Sequence, residues 1–171
     1  MRNVTLLTIL LMVCSKPMAA SETLSQYVPE ANLVGSARMS FFLWDVYDAT
    51  LYATHGQWQP DKPFALTLRY LRDIEGEAIA DRTAREIRRQ GPVDEVRLAA
   101  WYSQMRVIFP DVSDGTELTG IYSPGRATRF LQDGNEIGTI QDPEFGVRFF
   151  AIWLGEKTSE PALRRQLLGL R

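Results

Sequence analysis

Residues 33–52 read LVGSARMSFFLWDVYDATLY, and their alternation decides the architecture. In the second half, Tyr47, Ala49, Leu51 and Ala53 fall on one side of an extended segment, with Val46, Asp48, Thr50 and Tyr52 on the other. The pattern predicts one strand near Leu33–Leu43 and a second near Asp45–Thr54. A single cation, Arg38, stands in the first. Gly35, Ser36, Ala37 and Ser40 leave space around it, while Met39, Phe41, Phe42, Leu43 and Trp44 read as core. A guanidinium stays charged and is almost never buried alone. Arg38 therefore reaches solvent, pairs with a structural acid such as Asp45 or Asp48, or receives an anionic ligand. Tyr47, Tyr52 and Tyr70 are phenols able to donate further hydrogen bonds to such an anion.

Outward from this stretch, Gly56, Pro60 and Pro63 mark a loop, and Phe64–Leu71 alternates again with Phe64, Leu66, Leu68 and Tyr70 on one side. From Glu77 to Gln90 the period becomes helical, with Ile79, Ala80, Thr83, Ala84 and Ile87 in a stripe and Arg82, Arg85, Arg88 and Arg89 off it. Gly91-Pro92 stops that helix. Asp94-Glu95 opens the next, whose inner face is expected to hold Val96, Ala99, Ala100, Ser103 and Val107, with Trp101, Met105 and Ile108 beside it. A three-strand meander follows over Thr116–Tyr122, Arg126–Gln132 and Asn135–Ile140, its second turn carrying the hairpin pair Asp133-Gly134. Asp142-Pro143-Glu144 starts a helix that places Phe145, Phe149, Ile152 and Trp153 on one face, and Ser159–Leu168 forms a last short one. Strand runs and helix runs that do not alternate one for one predict an α+β fold, an antiparallel sheet with helices on one face and room for a cavity between the layers.

The N-terminus carries an address. Arg2, the apolar run Val4–Val13 and the small residues Pro17-Met18-Ala19-Ala20 form a signal peptide with cleavage expected after Ala20, leaving 21–171 as one domain. Cys14, the only cysteine, lies within it, and bulky Val13 argues against a lipoprotein box. Removing Arg2 and Lys16 takes the 19 basic residues to 17 against 21 acidic ones, a mildly acidic mature chain unsuited to nucleic acid. The same chain has no second hydrophobic run of membrane-spanning length.

Inventory limits the chemistry. With His55 as the sole histidine and no mature cysteine, a transition-metal site is not expected. No phosphate loop, dinucleotide fingerprint or nucleophile elbow is present, and no cofactor is called for. The abundant acids lie mostly in turns and helix starts.

A G-x-x-R strand ending at Arg38, the segment V-Y-D-A-T-L-Y (46–52), F-G-V-R-F-F-A-I-W-L-G (145–155) and L-R-R-Q-L-L-G (163–169) together resemble the chalcone isomerase-like family, and most of all its bacterial, secreted branch. The resemblance implies an open-faced β-sandwich with a ligand cleft between sheet and helices. It implies one of two activities: cyclisation of a chalcone by a cleft arginine, threonine, tyrosine and asparagine, or binding of a fatty acid whose carboxylate the matching arginine holds. Arg38 falls on that arginine and Tyr47 near the threonine. Residues 71–90 contain neither tyrosine nor asparagine, and the mature chain has only Asn32 and Asn135. The expectation is therefore a periplasmic, non-catalytic protein that binds a fatty acid or similar small apolar anion through Arg38, Tyr47, Tyr52 and Tyr70. An isomerase or intramolecular lyase acting on a conjugated substrate, with Tyr47 or Tyr70 as acid/base, is the alternative. A third possibility is a partner-binding domain whose cleft is filled by its own side chains.

Overall fold

Alternating apolar residues build one continuous sheet. A computed structural model describes residues 23–170; residues 1–20, expected from the sequence to be a signal peptide, lie outside the described residues. Strands β1 (Ala31–Phe41), β2 (Trp44–Thr54) and β3 (Phe64–Tyr70) are followed by helices α1 (Gly76–Arg89) and α2 (Glu95–Ile108). Strands β4 (Glu117–Tyr122), β5 (Thr128–Gln132) and β6 (Asn135–Ile140) come next, then helices α3 (Pro143–Leu154) and α4 (Pro161–Leu167). The six strands pair in sequence order, every neighbour antiparallel. This is the α+β, open-faced arrangement expected from the element order.

The helices cover one face. Ala37, Ala49, Leu68 and Leu118 are cross-strand partners, and all join the main core with Ile87, Leu98, Trp101, Phe145 and Leu167 from the helices. On the opposite face a smaller cluster of Leu24, Val28, Ala65, Ile121 and Leu131 is roofed by residues 23–28. Aromatic packing dominates the centre: Phe149 touches Phe109, Phe130, Phe145, Phe150 and Trp153 at centroid distances of 5.0–6.5 Å.

Helix ends are fixed by their own sequence. Asp94 accepts hydrogen bonds from the amides of Val96 and Arg97 at 2.9 and 3.0 Å. Asp142 accepts from the Glu144 amide at 3.0 Å, and its second oxygen accepts from the Trp101 indole at 3.0 Å. One carboxylate thus caps α3 and satisfies a buried donor of α2.

Two expectations about packing are corrected. The buried face of α2 is Leu98, Trp101 and Met105, while Val96 and Val107 point to solvent. Two stripes at helical spacing competed, and the one holding leucine, tryptophan and methionine removes more apolar area from water than one of alanine, serine and valine. Phe41, Phe42, Leu43 and Trp44 are also not core. They form the exposed tip of the β1–β2 hairpin.

Candidate functional site

The sheet's helix-covered face and the helices enclose a cavity of about 270 Å³. Its floor is Met39, Tyr47, Leu66, Leu68 and Tyr70 from β1–β3 with Leu118 and Gly120 from β4, and its roof is Ile79 and Thr83 of α1 with Phe149, Ile152 and Trp153 of α3. A bulge between Met39 and Ser40 adds Val46 to the lining, because an extra residue there lets Val46 and Tyr47 both face inward. The mouth lies where the lining residues are exposed: Phe41 at the hairpin, Ala78 and Arg82 on α1. Glu86, Ser159 and Glu160 complete the polar side.

The two phenols on the floor stand edge to face, 5.9 Å apart. The Tyr47 hydroxyl accepts a hydrogen bond from the Trp153 indole at 3.0 Å. Burial pushes its pKa up to about 12, against the opposing effect of that bond. Burial also pushes Tyr70 up, and its hydroxyl makes no hydrogen bond among the described residues. Both are therefore neutral phenols at physiological pH.

Arg82 is the basic residue on the lining. One of its terminal nitrogens pairs with Glu86 Oε1 at 2.8 Å, and Ser159 donates to Glu86 Oε2 at 3.0 Å. Glu86 is buried, with Arg89 a further 3.8 Å from the same carboxylate oxygen as Arg82. A buried carboxylate needs partners of this kind. Arg82 itself is half exposed, and its remaining N–H groups are unengaged among the described residues. They are available to an incoming oxygen.

Arg38, expected from the sequence to hold the ligand's head group, does not line this cavity. It belongs to a cross-strand row Arg38–Asp48–Arg69–Glu117 on the opposite face of the sheet. Its Nε and a terminal nitrogen donate to the two oxygens of Asp48 at 2.6 and 2.8 Å, and the other terminal nitrogen donates to Asp45 at 3.0 Å. The Asp48 carboxyl is held below the usual range chiefly by the Arg38 hydrogen bond, and Asp45 chiefly by the Ser40 hydroxyl, which donates to it at 2.6 Å. The bulge at Val46 explains the pair of acids: residues 45 and 48 would otherwise point to opposite faces. Tyr52 lies on that far face too, half-buried beneath residues 23–28, with its pKa raised by burial. So of the four residues expected to bind ligand, the structure brings Tyr47 and Tyr70 together in the cavity and leaves Arg38 and Tyr52 outside it.

Arg82 and Glu86 escaped the sequence reading because all the arginines of α1 lay off the apolar stripe. The available signal was Glu86, an acid adjoining that stripe three residues after Thr83, where burial demands a cation.

The sequence model of the chalcone isomerase-like family matches residues 19–169. The crystal structure of an Arabidopsis thaliana fatty-acid binding protein superposes with a TM-score of 0.62 at 13% identity, over 82% of this chain and 87% of that one. No curated protein matches the chain in sequence. The chain belongs to the chalcone isomerase-like family.

Proposed function

We propose that this chalcone isomerase-like protein binds a fatty acid or similar small apolar anion, its chain in the cavity and its head group at Arg82. The observation that carries the reading is the lining itself: apolar and aromatic apart from one polar side at Glu86, Ser159 and Glu160, with a guanidinium at the mouth that keeps donors unspent. Such a cavity suits a chain that gives up apolar surface to the interior, at roughly 0.8 kcal/mol per methylene. Its volume, about 270 Å³, is at the small end for ligand sites and favours a medium-length chain. The fold neighbour's fatty-acid binding supports the same class of ligand.

An isomerase or intramolecular lyase is the second reading, since two phenols meet in the cavity. Proton transfer at neutral pH is served best by a group that titrates near neutrality. Tyr47, at about 12 and already engaged by Trp153, and Tyr70, raised still further, are poorly placed for that work. Binding without turnover accounts for the site more simply.

The proposal extends to residues 1–20 as an export signal and to the bacterial, secreted branch of the family, on the strength of Arg2, the Val4–Val13 apolar run and the small residues before Ser21. One experiment tests ligand and address together. The full chain is expressed, the periplasmic fraction is released by osmotic shock, and the protein is examined by native and denaturing mass spectrometry. A chain lacking residues 1–20 that carries a carboxylic acid of medium length is expected. Full-length precursor confined to the cytoplasm would overturn the address, and a protein that neither retains nor takes up such an acid would overturn the function.

A further inference from the structure

The β1–β2 turn breaks the rules that the rest of the sheet obeys. Phe41 pairs with Trp44, leaving Phe42 and Leu43 as a two-residue loop. The other two-residue hairpin, between β5 and β6, uses Asp133 and Gly134 at φ of 48° and 84°, the ordinary chemistry for such a turn. At the first hairpin the left-handed position, φ 54°, is filled by Phe42, a bulky side chain that the conformation strains. Phe42 and Leu43 are 88% and 95% exposed, and Phe41 and Trp44 more than half exposed. Neither folding nor solubility explains four consecutive apolar residues at a strained, protruding tip. At its base Arg72 stacks over the Trp44 ring at 5.6 Å.

We infer that this tip inserts into the interfacial layer of a lipid bilayer and sets the cavity mouth against the membrane. The two features are continuous, because Phe41 belongs both to the tip and to the cavity lining. The four residues expose roughly 600 Å², judged from ordinary side-chain sizes. That falls short of the ~800 Å² per partner of a stable protein interface or dimer. It suits a bilayer, where aromatic residues settle at headgroup level with a cation beside them. The passage of an acyl chain from bilayer to cavity rests on the function proposed above, whereas insertion of the tip does not.

The test is flotation of the protein, purified after expression of the full chain, with vesicles of phosphatidylethanolamine and phosphatidylglycerol. Trp44 quenching by brominated acyl chains is read alongside. Wild type should float and be quenched. The double variant Phe42→Ser/Leu43→Ser should bind vesicles about tenfold or more weakly, with melting and dodecanoate affinity in vesicle-free buffer unchanged. Phe42→Gly, which relieves the strained position, should melt no lower than wild type yet float less. Wild type that stays unbound, a double variant that floats equally, or a tip that mediates only dimerisation by sedimentation would overturn the inference. Flotation without dodecanoate binding would remove the proposed ligand and leave the insertion standing.

Discussion

Arg38 is tied to Asp48 by two hydrogen bonds and to Asp45 by a third, on the face of the sheet away from the cavity. The pairing lowers the Asp48 carboxyl pKa in the folded chain, so the folded state prefers that group ionised. The stabilisation is present above the ordinary carboxylate pKa, about 4, and is lost as pH falls through the depressed folded value. Asp48→Asn removes it. The melting temperatures of wild type and variant should differ most near neutral pH and converge below about pH 4, a gap modest in size because the pair is half exposed. A gap that stays constant from pH 7 to pH 2 would show that the pair contributes nothing through charge.

At the scale of elements, α4 lies directly on β1. A β-carbon at Gly35 would fall against the carbonyl oxygens of Gln166 and Leu167, so the glycine is there to admit the helix. Gly35→Ala should destabilise the protein by about 1–3 kcal/mol in denaturant titration, as overpacking against backbone does; an unchanged midpoint would mean that α4 is free to move away. The space that Gly35 leaves in the sequence thus serves a helix rather than a ligand. Elsewhere the local sequence was enough. Alternation in β2 and β3, Asp94 and Asp142 as caps, and Asp133-Gly134 as a turn are local signals, and each element formed within a few residues of its expected bounds. The side on which Arg38 emerges depends on a bulge at Val46, which nothing local announces. Which stripe of α2 is buried depends on its neighbours, and so does the partner that a buried Glu86 finds on its own helix. The exposed Phe41–Trp44 run looked like core because hydrophobicity does not record whether the fold covers it.

For the whole molecule, a sheet covered on one face by helices encloses an apolar cavity and presents Arg82 at its mouth beside Glu86 and Glu160. A charge-assisted hydrogen bond from Arg82 to a carboxylate would contribute roughly 1.5–3 kcal/mol, and competition from Glu86 places the effect toward the lower end. The most direct test is calorimetric titration of dodecanoate into wild type, Arg82→Ala and Arg38→Ala, with dodecanol as the uncharged control and a thermal melt of each protein. The account predicts that Arg82→Ala weakens dodecanoate about tenfold, leaves dodecanol unchanged, and that Arg38→Ala binds both as wild type does. Dodecanoate binding that survives Arg82→Ala and is lost with Arg38→Ala would contradict it.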